Sequence, residues 1–447
     1  MKNILLNIFA FLALCSITGC SDFLEEKSDS RLATPVTLED NQALMDRTFN
    51  TVLSNSISGQ ISADEIYVTD ADYGNLIYEF EKRLYTWQPS EVSSSDENDW
   101  GSCYRRINVC NTVLYNIEHY QIAGAENLRG QALALRAAIY LEAAQIYCLV
   151  YNENTAETDL GLPLRLDPDM NIPSKRSSLK ETYDQIISDL KEAAMLLPSK
   201  QIALIRPSKA TALGYLSRTY LFMGDYQNAL EYGKQTLSIN DKLIDFNSLN
   251  PSDSYPIKSM NIEVLLHSSM VYSQFLSSSM AKIPQLLYNT YDNNDLRRSI
   301  YFRFNTAQQI LFKGNYSGGA TRMTCLATDE VYLIVAESYA RLNDIPMAMQ
   351  TLNELLKTRW KTGTYIPMTA NSQSEALDII LKERRKELLF RGLRWSDLKR
   401  YNRDGAGISL ERMVNGTTYI LPPNDLRYAI AIPEDIIKMT GMPQNPR

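Results

Sequence analysis

Apolar positions recur at helical spacing along much of the chain. Between Leu128 and Val150 the residues Leu133, Ala137, Tyr140, Leu141, Ala144, Tyr147 and Cys148 share one face, and between Leu179 and Leu197 the residues Tyr183, Ile186, Ile187, Leu190 and Ala194 do the same. Pro198 stops the second pattern. A further helix is predicted from about Asp99 to Tyr120, and a block from Ser374 to Tyr401, dense in Arg, Lys and Glu, reads as helical too. A long insertion containing Gly161-Leu162-Pro163 separates the first two patterns.

The chain also repeats itself. LSRTYLFMGDYQNALEYGKQTL, starting at Leu216, aligns without gaps on VAESYARLNDIPMAMQTLNELL, starting at Val335. Tyr220 pairs with Tyr339, Asp225 with Asp344 and Ala229 with Ala348, while Gly224 stands opposite Asn343. Gly and Asn best tolerate the left-handed conformation that ends a helix, so each copy reads as helix, tight turn, helix. Small residues that let paired helices approach, with aromatics filling the wedge, form the pattern of a tetratricopeptide repeat. Such pairs need neighbours to bury their apolar faces.

Residues 241–325 and 30–98 show weak periodicity and carry many Ser, Asn, Gly and aromatic residues. Long irregular stretches in a compact domain are the ones that carry function. The expected organisation is a mainly α-helical single domain over 41–447. Its helical scaffold would occupy about 99–240 and 326–401, with loop-rich regions over about 41–98 and 241–325.

The first twenty residues change the picture. Lys2 precedes a mostly apolar stretch from Ile4 to Leu14, then Ile17-Thr18-Gly19-Cys20. This is a secretory signal peptide over 1–19, with an apolar run short of the roughly 20 residues of a membrane span. Cys20 fits a lipobox and would become the acylated first residue of the mature chain, followed by an acidic tether over 20–40. A formal charge of -7 and a pI near 5.2 argue against a nucleic-acid surface. Beyond Cys15 and Cys20, the remaining Cys103, Cys110, Cys148 and Cys325 have no metal-site or redox spacing and read as small buried residues.

Catalytic and cofactor motifs are missing. Only His119 and His267 are present, without a telling second ligand, and no phosphate loop, nucleophile elbow or dinucleotide fingerprint occurs. Neither metal nor cofactor is expected. Carboxylates cluster at Asp64-Glu65 and at Asp96-Glu97-Asp99, so the sequence leaves an envelope glycosidase open. The richer signal is aromatic, because sugar rings stack on aromatic planes while polar neighbours bind hydroxyls. In KERRKELLFRGLRWSDLKRY, acidic residues alternate with the arginines at ion-pairing spacings, which favours a structural role.

Several stretches in order resemble the SusD/RagB family of outer-membrane nutrient-binding lipoproteins. They are the lipobox at Cys20, Trp100 with Tyr104, Ile107 and Asn111, LRAAIYLEAAQIY, Gly-Leu-Pro-Leu at 161–164, TYDQIISDLKEAAMLLP, SKATALGYLSRTYLFMGDYQNAL, VYLIVAESYARLND, ERRKELLFRGLRWSDLKRY and AIAIPEDIIKMTGMPQNP. The resemblance implies four tetratricopeptide-type helix pairs with a loop-built ligand site on one face. It also implies a lipid-anchored, surface-exposed position in the outer membrane, capture of an oligosaccharide, and service as the lid of a SusC-like TonB-dependent transporter. Catalysis is not implied, and some relatives favour peptides. Trp100, Arg394 and Trp395 lie in scaffold motifs. Site residues are expected in the loops over roughly 60–98 and 265–305, the candidates being Asp64, Tyr67, Tyr73, Trp87, Tyr272, Phe275 and Tyr288.

Overall fold

The computed structural model describes residues 34–52, 54–94 and 98–447. The signal peptide, Cys20, most of the tether, and Asp96 and Glu97 lie outside the described residues.

The fold is mainly α-helical. The longer helices are α1 (Leu38–Val52), α2 (Asp99–His119), α3 (Glu126–Tyr147), α4 (Leu179–Leu196), α5 (Lys209–Met223), α6 (Tyr226–Ile239), α7 (Thr328–Arg341), α8 (Ile345–Leu356), α9 (Gln373–Glu387) and α10 (Arg394–Arg403). Local chemistry sets their ends. Ser178 and Glu181 form a capping box at the start of α4, and Ser208 with Thr211 does so for α5. Pro198 follows directly on the end of the α4 pattern.

The two repeat copies are the pairs α5–α6 and α7–α8, and their turns match residue for residue. Gly224 and Asn343 both take a left-handed backbone, at φ +89° and +65°. Asp225 and Asp344 then cap the second helix by accepting from the backbone N–H groups of Asn228 and Met347. Ala229 and Ala348 are wholly buried. From α2 to α8 successive long helices pack side by side, α6 joining the two repeats by lying on α7, and α9 packs on α7. A side chain at Gly233 would place its Cβ 2.6 Å from Val335, so glycine is what allows α6 and α7 to come so close.

Two elements differ from expectation. Helix α1 falls where periodicity is weak. The basic block expected as one helix breaks into α9 and α10 at Leu388–Leu393, where Phe390 and Gly392 adopt φ of +61° and +75°. The break lets its arginines point several ways, and Arg384, Arg391, Arg394 and Arg400 all lie buried in ion pairs with Asp397, Asp329, Asp64 and Glu337 respectively. Cys103, Cys110, Cys148 and Cys325 are free and buried.

Strands are short and form two-stranded sheets only, among the described residues. They are β1 (Ser54–Asn55), β2 (Val264–Leu266), β3 (Ser269–Met270), β4 (Phe302–Phe304), β5 (Ile310–Phe312), β6 (Leu326–Ala327), β7 (Leu410–Val414) and β8 (Thr417–Leu421). The irregular stretch 241–325 is fastened to the scaffold by buried charge. Arg297 is held by Asp295 beside it and by Glu383 and Glu387 of α9, and Arg359 links Glu263 to Glu387.

Candidate ligand-binding groove

The two loop regions expected to carry the site meet in space. Strand β1 pairs in parallel with β3, and Tyr67 and Lys282 exchange backbone hydrogen bonds of 2.9 and 3.0 Å. Glu81 accepts from the Ser273 hydroxyl at 2.5 Å and from the Phe275 backbone N–H at 3.3 Å. The Lys282 ammonium is paired with Asp72, whose carboxylate also completes the capping box of the short helix Asp70–Gly74.

A third element joins them. The β7–β8 hairpin turns at Asn415 and Gly416, both at positive φ (50° and 76°), the geometry of a two-residue hairpin loop. The Asn415 N–H donates to Asp70 at 2.8 Å, tying the hairpin tip to the first loop region. Between hairpin and loops lies a groove of about 230 Å³, lined by Asp64, Ile66, Tyr67, Val68, Tyr85, Trp87, Pro284 and Leu410 to Met413.

Of the seven candidates, Asp64, Tyr67 and Trp87 line this groove. Tyr67 is 36% exposed and Tyr272 81% exposed, so both present ring surface to solvent. Tyr73 is half-buried and touches Tyr85, whose ring in turn lies 4.9 Å from that of Phe275. Three candidates need correction as stacking surfaces. Phe275 is completely buried beneath Tyr85, because the loops fold over it. Tyr288 packs edge-on against Phe302 and Phe304 under Arg298, whose guanidinium sits 4.4 Å from its ring. Trp87 is 4% exposed; its indole N–H donates to the Ser62 carbonyl at 2.9 Å and Arg412 covers its ring at 4.5 Å. Trp87 is therefore a wall of the groove rather than a free platform.

Asp64 is locked as well. Arg394 grips it at 2.6 and 3.0 Å and Arg385 adds a contact of 2.8 Å. Burial alone would raise its pKa, but the two guanidinium groups outweigh burial and hold it at about 2. A carboxylate so held is an anchor, not a proton donor. The neighbouring Glu65 turns inward, accepting from Gln60 at 2.7 Å and from the Phe390 N–H at 3.3 Å, and burial pushes it up to about 7. Asp99 is occupied by Ser58 and the backbone N–H of Ile57.

Glu65 yields a signed prediction. Its folded pKa exceeds the ordinary value of 4.5, so the folded state binds the extra proton, and stability falls as pH rises from about 4.5 to about 7. Glu65→Gln is expected to leave the unfolding free energy unchanged at pH 4 and to raise it by about 3 kcal/mol at pH 8. Denaturant titrations at the two pH values decide it; an equal shift at both would exclude the buried ionisation.

Residues missed in the sequence are Pro284 and the hairpin residues Glu411, Arg412 and Met413. A signal was available for the hairpin, since Asn415-Gly416 sits between two alternating runs.

Comparison with known proteins agrees with this architecture. A family model for SusD-like proteins, described as starch-binding and associating with the outer membrane, matches residues 22–221, and the model of the SusD family matches 313–439. The chain belongs to the SusD/RagB family. SusD-like protein P2 of Formosa agariphila is 24% identical, the alignment covering 97% of each chain, and SusD-like protein P38 of the same organism is 23% identical over 73% of this chain and 76% of its own. Among solved structures, a SusD superfamily protein from Bacteroides thetaiotaomicron superposes with a TM-score of 0.75 at 22% identity, covering 92% of this chain and 100% of that one. A SusD-like carbohydrate binding protein from Bacteroides vulgatus superposes at 0.68 with 20% identity, over 91% and 97%. These two structures thus share their fold with this chain.

Proposed function

We propose that this SusD-family protein is a lipid-anchored, surface-exposed component of the outer membrane. It captures oligosaccharide at the groove and hands it to a SusC-like TonB-dependent transporter, over which it acts as the lid. The observation that carries the proposal is the convergence of both loop regions and the β7–β8 hairpin on one groove, with the partly exposed Tyr67 in its lining. The relatives' descriptions as starch-binding and carbohydrate-binding proteins support the ligand class. Binding rather than catalysis fits the carboxylates near the groove, because Asp64 is neutralised by two arginines and Glu65 and Asp99 point into the interior. Modest affinity suits a protein that must release its cargo.

The test is affinity electrophoresis and calorimetry of the Cys20→Ser chain against a panel of polysaccharides and peptides. Saturable binding to a glycan class, without release of reducing ends, is the expected result. Tyr67→Ala should weaken that binding by about 1–3 kcal/mol, the size of aromatic stacking on a ring, while leaving the unfolding midpoint in place. Binding of peptides alone would overturn the glycan assignment. Copurification of a TonB-dependent transporter from the native envelope tests the partner.

A further inference from the structure

The charges around the groove do not balance. Arg412 is buried beneath it, and its hydrogen bonds all go to backbone carbonyls, those of Tyr85, Ile61, Ser62 and Ala63. Its guanidinium lies 3.8 Å from the Tyr85 ring centre and 4.5 Å from that of Trp87. Among the described residues, no carboxylate comes within ion-pairing distance of it. Carbonyl dipoles satisfy its N–H groups but do not cancel its charge. The next carboxylate along the groove, Asp64, is already shared by two cations, Arg385 and Arg394. Arg412 is thus the guanidinium of the lining, and the charge of Asp64 is taken up by two further guanidinium groups that lie outside it. The other acidic group in the lining is Glu411, exposed on the hairpin rim.

This unpaired cation sits in a chain whose formal charge is -7. Charges enclosed by low-dielectric walls act across a groove far more strongly than charges on an open surface. Burial lowers the pKa of Arg412 only to about 10, so the group stays charged at neutral pH. An aromatic wall and an unmatched cation together suit a sugar ring that bears an anion.

We infer that the groove selects acidic oligosaccharides, those carrying carboxylate or sulfate groups, over neutral ones. The inference rests on the glycan reading of the groove and narrows it. Arg412 supplies the long-range attraction from beneath, Tyr67 the ring surface, and Glu411 opposes the anion from the rim.

Calorimetry of the Cys20→Ser chain with three probes tests this: a tetrameric oligouronide, a sulfated tetrasaccharide, and a neutral tetrasaccharide. At least one acidic probe should bind about tenfold more tightly than the neutral one at low salt, through attraction across the low-dielectric wall rather than direct contact. The advantage should shrink as salt is raised. Glu411→Gln, on the exposed rim, should strengthen acidic binding about threefold and widen its ratio to neutral binding. Arg412→Gln should remove the acidic preference. Equal or tighter binding of the neutral tetramer overturns the inference and leaves the glycan reading standing. An acidic preference unchanged in Glu411→Gln and insensitive to salt overturns it too, since the anion would then bind elsewhere. Failure of every glycan to bind removes the glycan reading and this inference with it.

Discussion

Replacing Arg297 with leucine will destabilise the fold by about 3–5 kcal/mol, the cost of leaving buried charge uncompensated. The guanidinium is wholly buried and is held by Asp295 at 2.7 Å, Glu383 at 2.5 Å and Glu387 at 2.9 Å. Without it, three buried carboxylates share Lys386 and whatever Arg359 can spare from Glu263. Coulomb attraction within such a cluster offsets desolvation only while every member is present. The loss should appear as a shifted denaturant midpoint and as faster proteolysis within 241–325, because Arg297 fastens that stretch to α9. A change below about 1 kcal/mol would mean that water reaches the cluster and screens it.

Trp87→Ala is expected to cost a similar amount of stability, about 3–5 kcal/mol, in the range for truncating a buried aromatic. The indole fills the space between Ser62 and Arg412 and donates its N–H to a carbonyl that Arg412 also contacts. Removing it leaves a cavity and strips the cover from a buried cation. Affinity for glycan should fall only to the extent that the groove collapses, whereas Tyr67→Ala should lose affinity at constant stability. Comparing both variants by unfolding and by calorimetry separates a wall from a platform. Lost affinity with an unmoved unfolding midpoint would return Trp87 to the role of a stacking surface.

The scaffold was legible where neighbours in sequence determine the structure. The Gly224/Asn343 and Asp225/Asp344 correspondences are local, and the backbone takes the conformations those residue types require. The alternation of acidic and basic residues in α9 and α10 likewise pointed to ion pairing. What the sequence concealed is where those charges find partners. Asp64 and Arg394 are 330 positions apart, and Arg412 reaches back 349 positions to the Ala63 carbonyl. No periodicity reports such distances. The same blindness explains Phe275 and Tyr288, whose setting in aromatic-rich loops gave no hint of which rings would be covered by others. The expectation that both loop regions carry the site came from the family resemblance, and the two regions do touch, but the hairpin that completes the groove was passed over despite its Asn-Gly turn.

That hairpin also fixes an order of events. The helix pairs make contacts between near neighbours in the chain, and such contacts form early because little loop entropy opposes them. The groove needs residues near 64, near 284 and near 412 together, and the hairpin is the last of these to be made. A chain emerging N-terminus first can therefore build its scaffold while the groove is still open. The groove closes only after the hairpin has been made, and a molecule that lacks that hairpin is a framework without a mouth.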